Sequence, residues 1–179
     1  SLRALRASKA RGIAVTCEVA PHHFVLTDEA LRGYDTNTKM NPPLREEVDR
    51  LAMIEGLRDG SIDVIATDHA PHARHEKEVP FEAAPFGVTG LETAFSALYT
   101  HLVEPGLVSL ETLLERMSSG PARIYGLPAP RIAVGEPANL VLLDLVASHR
   151  VEADEFRSRS ANSWLLGERV TGKVRMTLA

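Results

Sequence analysis

Histidines carry most of the readable chemistry in this 179-residue chain. Five of the seven fall between residues 22 and 75, in two tight groups. The first is Pro21-His22-His23, and the second is Thr67-Asp68-His69-Ala70-Pro71-His72-Ala73-Arg74-His75. Asp68 is the most informative position. A carboxylate that ends an apolar strand and is followed by imidazoles can bind a divalent metal and exchange a proton with a substrate. His72 lies four residues on, where a loop can return it to the same pocket as a neutral donor or a cation. Zinc accepts His and Asp ligands together and, in catalytic sites, keeps an open position for water. An isolated Asp-His reads as a turn residue beside a solvated ring. Asp-His-Ala-Pro-His directly behind an apolar strand tips the reading towards chemistry.

Three other segments can line a site. The rings of His22 and His23 must point in different directions, so at most one is expected to face it, the other reading being a loop histidine packed on a rim. Lys39-Met40-Asn41-Pro42-Pro43-Leu44-Arg45 is stiffened by two prolines. Asn41 there offers a donor and an acceptor to an amide-like substrate, or simply starts a turn ahead of proline. Ala84-Pro85-Phe86-Gly87 leaves an open backbone at Gly87 that a ligand can approach; Phe86 alone reads as a core residue. Cys17 sits inside a strand pattern and reads as a small apolar residue rather than a nucleophile.

The elements that must position these groups follow from periodicity. Leu2 and Leu5 suggest the end of a helix stopped by Gly12. Ile13 to Val19 alternates as a strand, Pro21 to Arg45 reads as a loop, and Val48, Leu51, Ile54 and Leu57 mark one face of a helix ended by Asp59-Gly60. Ile62 to Thr67 has the look of a strand covered on both faces. Strand, helix, strand at this spacing is a βαβ unit with a parallel sheet. Both histidine groups then lie at the C-terminal ends of parallel strands, the edge where α/β folds carry their ligand sites. Farther on, Thr89-Gly90-Leu91-Glu92 matches a capping box, before a helix with Leu91, Ala94, Phe95, Leu98 and Leu102 on one face. Leu110, Leu113, Leu114 and Met117 mark a second helix. Asn139 to Asp144 and Val174 to Leu178 read as strands, joined by a polar surface connection from Ser148 to Ser163. No internal repeat or low-complexity tract interrupts the pattern.

Composition bounds the function. With 44% hydrophobic and 25% charged residues the chain can bury a core. A net charge of −4 argues against a basic nucleic-acid scaffold. No run of about 18 apolar residues suggests a membrane span, and no apolar stretch near the start suggests a secretion signal. One cysteine cannot form an internal disulfide, which fits a cytoplasmic location. The length is short of the roughly 250 residues of a complete (β/α)₈ barrel. The opening Ser1, inside a helix-like stretch, leads us to expect part of a longer sequence.

Four segments in order, Glu18 to His23, Lys39 to Arg45, Ile65 to His72 and Ala84 to Glu92, closely resemble dihydroorotase of the bacterial class I type, in the amidohydrolase superfamily. The resemblance runs from Ser1 to Ala179. It implies an α/β fold, the C-terminal part of a metal-dependent (β/α)₈ TIM barrel over residues 1–127, with strands 7 and 8 and their helices. Residues 128–179 would be the C-terminal part of a small β subdomain. The implied activity is the zinc-dependent, reversible cyclisation of N-carbamoyl-L-aspartate to L-dihydroorotate in pyrimidine biosynthesis. By the same resemblance Asp68 is a zinc ligand and the general acid/base, while Asn41, His72 and the Phe86-Gly87 backbone contact substrate. One or two zinc ions are implied, with the remaining ligands, among them a His-x-His pair, upstream of this chain. His22-His23 aligns with strand 7 and is not that pair. The partner expected is the small-molecule substrate, with no nucleic acid and no membrane, and with room for a homodimer or for association with aspartate transcarbamoylase. Asp68 being its one expected zinc ligand, the chain alone is expected to be inactive. Two alternatives stand beside this: a related cyclic amidohydrolase such as allantoinase or dihydropyrimidinase, and an inactive dihydroorotase-like subunit that scaffolds aspartate transcarbamoylase. The intact Asp68 and His72 argue against the scaffold.

Overall fold

The structure is a computed structural model that describes residues 2–128 and 131–179. Ser1 and residues 129 and 130, the latter two at the expected junction between barrel and β segment, lie outside the described residues. Helix α1 (Leu2–Ala10) ends as its sequence predicts: Gly12 takes φ +74°, and the Ile13 N–H returns to the Ser8 carbonyl at 3.1 Å. Strands β1 (Glu18–Val19) and β2 (Val64–Ile65) pair in parallel, Glu18 opposite Val64 and Val19 opposite Ile65. Helix α3 (Glu47–Arg58) connects them, so the expected βαβ unit is present. The strands are shorter than the alternation from 13 to 19 and the run from 62 to 67 suggest. Among the described residues each has one neighbour, and a ladder cannot extend where a strand has no partner.

Several expectations need correction. The segment from Pro21 to Arg45 is not plain loop. It contains α2 (Pro21–Val25), with proline in its first turn, and 3₁₀ turns at Asp28–Gly33 and Thr36–Thr38. Phe24, completely buried, holds α2 to the core. On α3 only Ile54 and Leu57 of the four spaced residues are buried, while Val48 and Leu51 are exposed. The capping box at 89–92 does not form. Beyond the short helix α4 (Arg74–Lys77), helix α5 (Ala94–Leu98) starts after Thr93 without a side-chain cap. Glu92 instead accepts the Arg157 and Ser158 N–H groups at 2.8 and 2.9 Å, and Leu91 is exposed. Long-range partners have won over the local cap.

Helix α5 continues as a π turn through Tyr99–Val103. Helix α6 (Leu110–Leu114) is capped by Ser109 Oγ accepting from the Thr112 N–H, and a second π turn leads into α7 (Gly120–Ile124). Leu57, Leu98, Leu102 and Leu113 are fully buried in one cluster with Phe24, Ile62 and Ile65. Each leucine so buried contributes about 1.5–3 kcal/mol, which fastens α3, α5 and α6 to the β1–β2 pair. The C-terminal strand ends are left to loops.

Strands β3 (Leu140–Arg150) and β4 (Arg169–Leu178) form an antiparallel ribbon, longer than the sequence pattern indicates. Gly172, at φ +84°, lets β4 cross tightly over α5, since a Cβ there would lie 3.0 Å from Tyr99 Cδ1 and 3.1 Å from Phe95 Cε1. Ser96 Oγ donates to the Gly172 carbonyl at the crossing. The stretch from Ser148 to Ser163 is not simply a surface connection: its first three residues belong to β3, and Val151, Asn162 and Ser163 are buried. No helix among the described residues is long and apolar enough to cross a membrane.

Candidate active site

Because β1 and β2 run parallel, Val19 and Ile65 deliver their loops to the same edge. Asp68 follows β2 by three residues and takes φ +49°. A non-glycine residue in this region carries strain of order 1–3 kcal/mol and persists only where its surroundings hold it. Here the chain just beyond it is pinned: His69 bridges Val88 in parallel, and the Ala70 N–H donates to the Val88 carbonyl at 2.8 Å.

Asp68 opens onto a cleft of about 1290 Å³ that His23, Asn41, Pro42 and Arg45 also line. The Asn41-Pro42 peptide is cis, and His23 Nε2 lies 2.9 Å from the Pro42 carbonyl, tying the proline-rich loop to α2. His22 turns the other way. It is 2% exposed, its Nε2 has no hydrogen-bond partner, and burial, with a smaller effect from His23, pushes its pKa down to about 3. The His-His pair thus divides into one ring at the cleft and one in the core.

The other sequence-predicted residues lie on the far side of the loop. His72 lines a second cavity of about 550 Å³. Its Nε2 is 2.9 Å from the Phe86 carbonyl, and its backbone N–H donates to Asn162 Oδ1 at 3.0 Å. Gly87 is buried at φ +103°, where a Cβ would lie 2.7 Å from that of Ala70. Its N–H donates to the Lys39 carbonyl at 2.9 Å, and its carbonyl accepts from Lys77 Nζ at 3.0 Å. Phe86 is 55% exposed, with Lys39 Nζ 4.8 Å from its ring centroid. Asp68 and Asn41 therefore share a cleft, whereas His72 faces another cavity and Phe86 and Gly87 line neither.

Three supporting residues escape a reading of the sequence. Asn162, buried within a polar run, joins three segments: besides receiving His72, its Nδ2 donates to the Ala70 carbonyl at 3.1 Å, and its own carbonyl receives the Thr89 N–H at 2.9 Å. Lys77 is buried, and desolvation pulls its ammonium pKa down. It still donates to the Pro85 and Gly87 carbonyls, both at 3.0 Å. Lys39 Nζ holds the carbonyls of Phe81, Glu82 and Ala84 at 2.7–2.9 Å. Nothing in the spacing marks Lys77 or Asn162, and Lys39 stands out only as the first residue of the proline-stiffened segment. Cys17 is half-buried against the core, and burial, reinforced by Asp63, pushes its thiol pKa up, so the thiolate needed of a nucleophile is disfavoured.

The chain's own donors do not complete a zinc site. Zinc takes three or four protein ligands, and no three His, Cys, Asp or Glu side chains converge among the described residues. Asp68 can supply one carboxylate.

Comparison with known proteins places this geometry. The sequence model of the amidohydrolase family matches residues 2–174. The chain is 49% identical over 177 residues to a dihydroorotase of Geobacillus sp. (strain WCH70), covering 99% of this chain and 42% of that protein. It is 51% identical over 178 residues to one of Desulforapulum autotrophicum, covering 99% and 41%. The chain thus spans 41–42% of the length of these relatives. Among solved structures, the L-hydantoinase (dihydropyrimidinase) of Arthrobacter aurescens is similar with a TM-score of 0.86 and 30% identity, over 99% of this chain and 42% of that one.

Proposed function

The chain belongs to the amidohydrolase family, and from that premise we propose that it forms the C-terminal part of a dihydroorotase. Residues 1–127 would supply strands 7 and 8 of its (β/α)₈ barrel, and residues 128–179 part of a small β subdomain. The reaction is the reversible interconversion of N-carbamoyl-L-aspartate with L-dihydroorotate and water. One observation carries the reading: a carboxylate, Asp68, stands at the C-terminal edge of a parallel strand pair and opens onto a cleft shared with Asn41 and His23.

In the ring-opening direction a water oxygen bonds to the ring carbonyl carbon as the C–N bond breaks, and Asp68 Oδ takes the proton that the water sheds and gives it to the leaving amide nitrogen. In the cyclising direction the carboxylate takes that proton back. Asn41 presents a donor and an acceptor that match the amide and carbonyl groups of either substrate. Asp68 is the residue by which this chain would join the zinc site that the resemblance implies; the other ligands would come from outside residues 1–179. The backbone around Phe86 and Gly87 is bonded to Lys39, His72, Lys77 and Asn162. Its role, and that of His72, is then to shape the substrate's surroundings, with direct contact requiring these bonds to rearrange.

Relatives of about 50% identity named dihydroorotase favour this over the hydantoinase reading that the 30%-identical structure suggests. A substrate panel tests it. An enzyme of the relatives' full length carrying these residues should turn over L-dihydroorotate and N-carbamoyl-L-aspartate far faster than hydantoin, dihydrouracil or allantoin. The 179-residue chain alone should turn over none. A preference for another cyclic amide would replace the reading, and no turnover at all would favour the scaffold subunit.

A further inference from the structure

Asp68 holds a left-handed backbone, yet no hydrogen bond among the described residues reaches its carboxylate, so its aim is set by its two neighbours. On the N-terminal side the Thr67 carbonyl lies against Gly90, so close that a Cβ on Gly90 would be 2.9 Å from the Thr67 oxygen. On the C-terminal side His69 Nδ1 accepts two backbone N–H groups, those of Gly90 and Leu91, each at 3.2 Å. Gly90 therefore meets both flanks of Asp68. The bridge from His69 to Val88 and the bond from Ala70 to Val88 extend the same seam.

Resting on the assignment of Asp68 as the proton-transfer group, we propose that His69 is a positioning residue whose ring, seated on the Gly90 and Leu91 amides, clamps Asp68 in its left-handed conformation. Two N–H groups aimed at Nδ1 make that nitrogen the lone-pair bearer and place the ring proton on Nε2. The ring is thus an acceptor locked in one orientation, and it is covalently continuous with the residue it steadies. Gly90 is required by the same arrangement, because any side chain there would push Thr67 away. His69 itself touches no reacting atom. Its effect passes through Asp68.

The test uses the metal-loaded, full-length enzyme with three sequences: wild type, His69→Ala and His69→Asn. The asparagine Oδ1 stands near the place of Nδ1 and can accept the same amides. A misplacement of about 1 Å at a reacting group costs about 10²-fold in rate. His69→Ala should therefore lower kcat by about that factor for L-dihydroorotate with KM within about twofold, and His69→Asn should recover most of kcat. Hydrogen exchange read by mass spectrometry should show the Gly90 and Leu91 amides protected in wild type and His69→Asn, and unprotected in His69→Ala. Wild-type kcat in His69→Ala, a loss expressed only in KM, failure of asparagine to rescue, or unchanged amide protection would each overturn the clamp. A wild-type enzyme without dihydroorotase turnover would defeat the proposed function instead. The exchange pattern would then still decide whether the clamp exists.

Discussion

Asp68 and His72 stand four residues apart in one motif, yet the fold turns them into different cavities and holds them by different means. Asp68 is exposed at the large cleft, strained in its backbone and free of hydrogen bonds to its carboxylate among the described residues. His72 is partly buried at the smaller cavity and bonded through its N–H, its carbonyl and one ring nitrogen. Its N–H goes to Asn162, its ring to Phe86, and its carbonyl receives Ser160 Oγ. A group that must give and take a proton gains from having its oxygens uncommitted and its direction fixed by the backbone. A group that holds other segments together gains from committing most of its polar atoms. Under the proposed function, the contrast separates a residue that reacts from residues that build.

The sharpest way to break this contrast is at its reactive end. In the full-length enzyme Asp68→Ala removes the proposed proton carrier, and proton transfer by a positioned side chain is worth about 10²–10⁴-fold. The expected result is a kcat lower by at least that range, with the protein still folded by circular dichroism. A variant that keeps near-wild-type turnover would place the reacting group elsewhere and leave Asp68 as one more builder.

Sequence and structure agree on one side of the contrast and part on the other. The β1–α3–β2 unit, the end of α1 at Gly12 and the place of Asp68 are legible because each rests on local signals: periodicity, a terminating glycine, a strand followed by a carboxylate. His72 is legible as a motif residue but not as a member of a network, since its partner Asn162 lies 90 positions away. Asn162 itself stands in Arg157-Ser158-Arg159-Ser160-Ala161-Asn162-Ser163, a composition shared by any solvated loop. Glu92 shows the same limit in reverse. Its spacing from Thr89 fits a local cap, and only the fold reveals that Arg157 and Ser158 offer it better-placed amides.

The building end is tested at Asn162. Asn162→Ala strips the partners from the His72 N–H and the Ala70 carbonyl, and a buried polar group left without a partner costs about 1–3 kcal/mol. That cost divides between folding and the shape of the loop, so the unfolding midpoint should fall and KM should rise by up to about tenfold, a step of about 1.4 kcal/mol. Turnover should fall much less than in Asp68→Ala. If Asn162→Ala instead lowered kcat at constant KM, the two ends of the motif would act as one unit and the contrast would dissolve.

The division recurs on a smaller scale in the adjacent histidines, His23 at the cleft and His22 in the core. His22 has its pKa lowered from 6.5 to about 3 by burial, so in the folded protein it stays neutral where the unfolded chain would already bind a proton. The unfolded state then holds more protons below pH 6.5, and stability falls as pH drops from 6.5 towards 3. Above 6.5 both states are neutral and the effect vanishes. One proton gives a slope of at most about 1.4 kcal/mol per pH unit. Denaturant unfolding at pH 7.5, 6.5, 5.5 and 4.5 should show this slope, and His22→Leu should flatten it by up to that amount, whatever its stability at pH 7.5. Equal slopes in wild type and His22→Leu would mean that water or a proton reaches the buried ring. His22 would then cease to be the core half of the pair.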